Sequence, residues 1–311
     1  MAPAALEFDG SSSSPKRVCV MDAGGSLGSA LVRRLLQRGY FVHAAIHSHD
    51  EMQSMEETVG DKKKLRVFHT DPLDYHSIVE ALQGCYGLFY SFEPPSDQPS
   101  YDELMTEMEV RAAHNVLEAC AQTDTIDKVV FTSSATALIW RDPSDSTSSS
   151  PDFDERNWSN VNFCKKFKLW HGLSKTLAEK TAWALAMDRG VSMVSINAGL
   201  LLSPDLTITH PYLKGAAEMY EDGVFVTVDL KFLVDSHICV FEQVSAYGRY
   251  LCFNHVINCN KDAVKLAHIL LPPDVSSLPP SMTVGESRMV PQRISNKKLN
   301  KLMVDFESGG Q

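Results

Sequence analysis

Apolar residues along this chain fall into two alternating rhythms. Short, almost unbroken apolar runs stand at 16–21 (KRVCVM), 40–46 (YFVHAAI), 64–70 (KLRVFHT), 86–92 (YGLFYSF), 127–134 (DKVVFTSS) and 191–197 (VSMVSIN). Runs of this length without polar alternation predict strands covered on both faces. Between them, apolar positions recur at helical spacing in LGSALVRRLLQRG (27–39), SIVEALQG (77–84), 101–123 and a long stretch over 163–189. Gly39 and Gly190 follow two of these stretches, where a helix ends most easily.

Strand, helix, strand in succession predicts an α/β fold of βαβ units. Right-handed crossovers then give a Rossmann-type doubly wound parallel sheet. The pattern divides the chain into a floppy Ser- and Ala-rich tail (1–15), a Rossmann dinucleotide-binding domain (16–197) and a remainder (198–311). In the last part Pro204, Pro211 and Gly223 interrupt the rhythm, although LKFLVDSHICVFE (230–242) again reads as helical. It is expected to form mainly a smaller substrate-side lobe, with some segments returning to the sheet. RDPSDSTSSSPDFDE (141–155) reads as a loop.

Composition narrows the function. With 44% hydrophobic and 22% charged residues the chain has an ordinary globular balance, and its net charge is −10. Its one basic cluster, DKKKLR (61–66), reads as the solvated start of a strand, so neither nucleic acid nor a membrane is an expected partner. Seven scattered cysteines without a CxxC predict neither a disulfide framework nor a zinc site and fit a reducing compartment. The N-terminal segment has no signal-type apolar core, no run reaches membrane-spanning length, and SGGQ at the end carries no anchor. Cytoplasm is the expected location, and the Asn157-Trp158-Ser159 sequon is then idle.

The chemistry concentrates in five segments: VCVMDAGGSLGSALVRRLL (18–36), HTDPLD (69–74), VVFTSSATAL (129–138), HGLSKTLAEK (171–180) and YGRYLCF (247–253). The first is a strand, a Gly-rich turn and a helix, the arrangement that seats a dinucleotide pyrophosphate on a helix N-terminus. In this order, with FCKKFKLWHGLSK (163–175) and a terminal ISNKKLNKL (294–302), the set resembles the extended short-chain dehydrogenase/reductases. Within them it is similar to the plant cinnamoyl-CoA reductase and dihydroflavonol reductase group, and to its divergent cinnamoyl-CoA reductase-like branch. The resemblance runs from about 16 to about 303.

What the resemblance implies is specific. Members of this family reduce a carbonyl with hydride from NADP(H). A Tyr gives the proton, a Lys lowers the Tyr pKa and holds the ribose, and a Ser hydrogen-bonds the substrate oxygen. By position the Ser is Ser134 and the Lys is Lys175, but the Tyr position holds His171. The GxxGxxG pyrophosphate turn becomes Asp22, Gly25 and Gly28, with Ser26 and Leu27 between the two glycines. The position of the Arg that grips a 2′-phosphate is His47, Asp71 matches the acid that meets the adenine amino group, and Ala198 replaces a Pro beside Asn197. Cys164 matches one of a pair of cysteines whose partner position is Asn157, so no disulfide is expected there.

Each of these residues also has a plain structural reading. His171 is either a substitute acid or a tolerated polar residue in a silent cleft. Imidazole is shorter than phenol, and Lys175 one turn away disfavours its charged form. Ser134 is either catalytic or the polar end of a strand, and Lys175 either holds the ribose or pairs with Glu179 at i+4. Asp71 suits a turn as well as an adenine. His47 and His49 lack a third ligand for a metal. Trp158, Phe163, Trp170 and Tyr212 line an aromatic pocket or fill core. The expectation is a reductase-like protein of plant phenylpropanoid or defence metabolism whose conventional activity is weak or absent. Its ligand would be a small aromatic or a CoA thioester. The alternatives are an active NADP(H)-dependent reductase using His171 or water as acid, a non-redox cyclase or isomerase, and a silent binding protein. The sequence sets no oligomeric state.

Overall fold

Each predicted strand of the first two thirds forms, and the helices between them return the chain so that successive strands run parallel. The computed structural model describes residues 16–58, 63–94, 101–142, 152–271 and 289–308. The expected tail (1–15), residues 143–151 of the expected loop, Asp61 and Lys62 of the basic cluster, and the terminal GGQ lie outside the described residues. In chain order the first elements are β1 (Arg17–Met21), α1 (Ser26–Gln37), β2 (Phe41–Ile46), α2 (His49–Thr58), β3 (Leu65–His69), α3 (Tyr75–Leu82), β4 (Gly87–Tyr90), α4 (Glu103–Ala121) and β5 (Lys128–Ser134). Then come α5 (Thr136–Ile139), α6 (Val161–Lys166), α7 (Trp170–Arg189), β6 (Met193–Ala198) and β7 (Leu200–Leu202). A short 3-10 turn (Pro211–Leu213), α8 (Ala216–Glu221), β8 (Val226–Asp229), α9 (Leu230–Glu242), β9 (Gly248–Cys252), β10 (His255–Val256), α10 (Asn260–Leu270) and α11 (Lys297–Ser308) complete it.

The main sheet has seven parallel strands in the order β3-β2-β1-β4-β5-β6-β9. Its order reverses between β1 and β4, the place where an open α/β sheet forms a crevice at its strand ends. The strands are apolar throughout because both faces are covered. Val18 and Val20 pack with Leu31, Leu35 and Ile238 on one face, while Cys19 and Met21 pack with Ile78, Leu117 and Ala182 on the other. Fully burying a leucine of this kind contributes roughly 1.5–3 kcal/mol. A second, three-stranded sheet, β10-β8-β7, carries the substrate-side segment. β9 leaves that region and pairs with β6, adding the seventh strand. Among the described residues, no helix is long and apolar enough to cross a membrane.

Two local expectations need correction. The helix predicted over 163–189 is broken after Lys166. Leu169 N–H reaches back to Cys164 O (2.9 Å) and Lys168 N–H to Lys165 O (3.2 Å), the pair of bonds that closes a Schellman motif. The left-handed residue this motif needs is Lys168, at φ 53°, where a glycine is usual. α2, which the sequence did not announce, fills 49–58 with little apolar content beyond Met52 and the buried Met55.

Candidate functional site

The broken helix fixes the first part of the site. Because α7 restarts at Trp170, His171 falls in its first turn and Lys175 one turn on, both facing the ends of β5 and β4. Two cavities that share Ser91, Phe92, Glu93 and Pro94 run along the carboxyl ends of the strands. One, of about 400 Å³, is lined by Ser134, His171, Lys175, Tyr101, His210 and Tyr212. The other, of about 430 Å³, is lined by Asp22, Gly25, His47, Glu51, Asp71 and Thr70. The residues expected at the two halves of the site are therefore brought to one crevice.

In the first cavity Ser134 Oγ accepts from Thr136 N–H (3.2 Å) and Thr136 Oγ1 (3.0 Å), so its own hydrogen is left for a third partner. Thr136 Oγ1 also lies 3.0 Å from His171 Nδ1. With the threonine hydrogen given to Ser134, this network assigns the imidazole proton to Nδ1 and leaves Nε2 an acceptor. His171 is buried, and burial holds its pKa well below the ordinary histidine range, helped by Lys175 and His210. Its place in the first turn of α7 acts in the same direction. Burial and Lys175 likewise push His210 down to about 4. Both rings are neutral near pH 7.

Lys175 does not pair with Glu179. Its Nζ lies 2.7 Å from Glu109 Oε1 and 3.1 Å from Phe92 O. Glu109 also accepts from Tyr101 OH (3.3 Å) and, at short range, from Ser174 Oγ. Glu179 is turned inward instead, where it binds Arg249 Nε (2.8 Å), Ser195 Oγ, Ser133 Oγ and Asn197 Nδ2. It ties β5, β6 and β9 together beneath Ser134. Glu109 is the site residue that sequence reasoning missed. It stands in register with the buried Met105, Ala112 and Val116 on one face of α4, and a carboxylate in an apolar stripe was the available signal.

At the dinucleotide end, Gly28 is required. A Cβ there would run into Asp22 O, so the glycine lets α1 start against the strand end. Leu27 and Gly28 are buried, and Ser26 Oγ donates to Asp205 Oδ2 at 2.9 Å. Asp22 adopts φ 63°, and its carboxylate accepts Glu93 N–H at 2.8 Å. The Glu51 carboxylate presses on Gly24, and Glu93 Oε2 lies 2.6 Å from where a Cβ of Gly25 would stand. Burial, then the neighbouring Glu93 and Glu51, lifts the Asp22 pKa well above the usual carboxylate range. Glu93 is raised as well, by burial first and then by Glu51 and Asp205, against the pull of Lys175.

The adenosine end is more ordinary. Asp71 Oδ1 accepts Leu73 N–H (2.8 Å) in a turn, and the residue lines the cavity as well. Thr70 also lines this cavity, and its Oγ1 is buried without a hydrogen-bond partner. His47 is exposed, its ring 6.0 Å from that of His69, while His49 stacks on His69 at 4.8 Å. Among the described residues no group of three His, Cys, Asp or Glu side chains is placed to hold a metal ion. The four aromatics do not make one pocket. Tyr212 lines the His171 cavity, Trp170 its outer mouth, Trp158 stacks under Arg249 (3.6 Å), and Phe163 packs on Phe167. Among the described residues no cysteine, Cys164 included, is joined in a disulfide.

A nicotinamide dinucleotide laid along this crevice would meet Asp71 at its adenosine and Lys175 and Ser134 at its nicotinamide, with the carboxylates of Asp22, Glu51 and Glu93 beside its phosphates.

Comparison with known proteins gives the family and the class of cofactor. A family described as NAD(P)H-binding matches residues 23–159. Cinnamoyl-CoA reductase 1 of Petunia hybrida is 36% identical over 300 residues, covering 93% of this chain and 87% of that protein. The bifunctional dihydroflavonol 4-reductase/flavanone 4-reductase of Malus domestica is 30% identical over 314 residues, covering 95% and 87%. Among solved structures, vestitone reductase from alfalfa (Medicago sativa) superposes with a TM-score of 0.68 at 24% identity, over 92% of this chain and 91% of that one. The dinucleotide domain is therefore of the NAD(P)H-binding type, and the chain belongs to the extended short-chain dehydrogenase/reductase family, in the group of the cinnamoyl-CoA and dihydroflavonol reductases.

Proposed function

We propose that this chain is a cinnamoyl-CoA reductase-like protein of plant phenylpropanoid or defence metabolism in which conventional NADPH-dependent reduction is weak or absent. The observation that carries the reading is the bond between the buried His171 Nδ1 and Thr136 Oγ1. Bound NADPH would supply hydride to a carbonyl carbon, and the carbonyl oxygen must then receive a proton. A neutral imidazole protonated on Nδ1 presents an acceptor, not an acid, to the cavity. Ser134 still offers one hydrogen bond to the oxygen, which orients a carbonyl without protonating it. Lys175 is held in an ion pair with Glu109 and away from the position a phenol would take.

The ligand is a small aromatic or a CoA thioester, supported by the cavity that Tyr101, Tyr212 and His210 line and by the substrates in the relatives' names. The protein acts in the cytoplasm and meets neither nucleic acid nor membrane, as its net charge of −10 favours. A second reading has a specific support. The unprotonated Nε2 of His171 suits a base, so a cofactor-free isomerisation or cyclisation of the same ligand would use it directly. The test is a panel of phenylpropanoid thioesters, aldehydes and ketones with NADPH, following both nicotinamide oxidation and ligand conversion. The reading expects turnover at least about a hundredfold below what a working acid supports. Rapid NADPH oxidation by the wild-type chain would overturn it, and conversion without oxidation would favour the base.

A further inference from the structure

The phosphate part of the crevice holds its own anions. Glu51 comes from the first turn of α2 and its carboxylate covers Gly24; Glu93 follows β4 and its carboxylate covers Gly25, the residue that caps α1. These glycines are the bare backbone that a pyrophosphate approaches, and the N-terminus of α1 is the positive end that draws it. Asp22, held by Glu93 N–H, ties the segment carrying Glu93 to the turn. We propose that Glu51 and Glu93 form a built-in plug of the phosphate cradle, which a dinucleotide displaces with uptake of protons by the acid cluster.

The surrounding charges favour the plug over the ligand. Asp22 follows β1, His47 follows β2, Asp50 and Glu51 open α2, Asp71 follows β3, Glu93 follows β4 and Asp205 follows β7. Lys175 on α7 is the cation closest to the interior of this group, and Glu109 already neutralises it. Arg33 on α1 shares the outer groove beside Gly24 with Glu51, Asp50 and Ser29. Two phosphate charges brought among ionised carboxylates are repelled at short range, and because Glu51 and Glu93 are exposed the repulsion is partly screened by water. Displacing the carboxylates, or protonating them, removes that repulsion. The elevated proton affinity of Asp22 and Glu93 makes the second route accessible above the ordinary carboxylate range. Dinucleotide binding by this chain is therefore accompanied by proton uptake and weakens as pH rises.

The inference rests on the reading of this crevice as a dinucleotide site but not on whether reduction follows, so binding is measured apart from turnover. The probe is NADH, which lacks the 2′-phosphate that would itself titrate beside His47. Calorimetric titration of the full chain at about pH 6 and about pH 8, in two buffers of different ionisation heat, gives affinity and protons taken up. The wild type is expected to bind NADH at least about tenfold more weakly at the higher pH and to take up protons on binding. E51Q/E93Q is expected to bind about tenfold more tightly than wild type at the higher pH and to lose the part of the pH dependence that Glu93 carries, with Asp22 keeping its own. Adenosine, which has no phosphate, is expected to bind both proteins alike, which separates loss of the plug from a general change in the crevice. Wild-type binding that is independent of pH with no proton exchanged overturns the proposal, as does a double variant no tighter than wild type. Tight NADH binding by E51Q/E93Q without any turnover upholds both the plug and the proposed loss of reduction. Rapid turnover by the wild type would instead remove the functional reading alone.

Discussion

Lys175 Nζ lies 2.7 Å from Glu109 Oε1, and both side chains are almost wholly withdrawn from solvent. The pair joins α4 to α7 across the floor of the crevice. A buried pair of this kind adds little net stability over an apolar substitute, but removing one partner strands the other charge. Glu109→Ala is expected to destabilise the fold by about 3 kcal/mol or more, because Lys175 loses its counter-charge and keeps only Phe92 O, while Ser174 and Tyr101 lose their acceptor. Urea unfolding of E109A, K175A and the double variant measures the coupling, expected at about 1–3 kcal/mol. Additive losses would show that the two charges act independently.

Asp22 illustrates the opposite situation, a carboxylate placed where charge is unwelcome. Its folded pKa is raised, so the folded chain holds a proton that the unfolded chain has released. Folding stability from this group is present below the unfolded value of about 3.9 and is lost as pH rises through the folded one. Asp22→Asn keeps an oxygen for Glu93 N–H and tolerates the left-handed backbone. It is expected to raise the melting temperature near neutral pH and to leave it almost unchanged near about pH 4. Equal effects at both would remove the electrostatic explanation.

For His171 the sign reverses. Its folded pKa is depressed, so below about 6.5 the unfolded chain binds a proton that the folded chain refuses. Stability is full above that value and declines as pH falls. A His171→Gln variant lacks this linkage, and its stability between about pH 4.5 and pH 6.5 is expected to fall less steeply than wild type. The difference is on the order of 1.4 kcal/mol per pH unit. Parallel curves from chemical denaturation would mean that the ring is protonated in the folded state after all.

Lys168→Gly tests the joint that sets His171 in place. The left-handed conformation at φ 53° costs a residue with a Cβ on the order of 1 kcal/mol, and glycine avoids most of it. The greater freedom of glycine in the unfolded chain takes part of the gain back. A stabilisation of about 0.5 kcal/mol is expected from thermal unfolding, and a clear loss would show that the lysine side chain itself holds the turn.

How legible these features were depends on what the sequence records. Strands covered on both faces announced themselves, because a continuous apolar run such as RVCVM has few other uses. α9 was equally plain and runs over the expected 230–242. The break at Lys168 was hidden because it uses no glycine or proline, only the bond pattern of a Schellman turn. α2 was hidden because so little of it is buried. β7, β8 and β10 are too short to show a period. At the site, the motif spacing located Ser134, His171 and Lys175, yet their partners come from far along the chain. Glu109 reaches Lys175 from α4, and Thr136 links His171 to Ser134 from the turn after β5. Glu51 and Glu93 carry no motif at all, and only the fold places them on adjacent glycines.

The two alterations of the site, in acid and in cradle, separate in one set of variants. A working general acid is worth about 10²–10⁴ in rate. His171→Tyr returns a phenol beside Lys175, but Glu109 still neutralises the lysine and the plug still opposes the phosphates. The single variant is therefore expected to gain less than about tenfold in kcat with NADPH and to leave its KM for NADPH unchanged. Adding E51Q and E93Q to H171Y is expected to lower that KM by about tenfold, whereas further substitution by E109Q is expected to act on kcat, by freeing the lysine charge to lower the phenol pKa. Steady-state kinetics on a cinnamoyl thioester, with each protein's melting curve as a control for folding, resolves the two. If H171Y alone restored strong activity at low NADPH, the carboxylates over Gly24 and Gly25 would have to move aside at negligible cost, and the missing phenol would account for the whole loss.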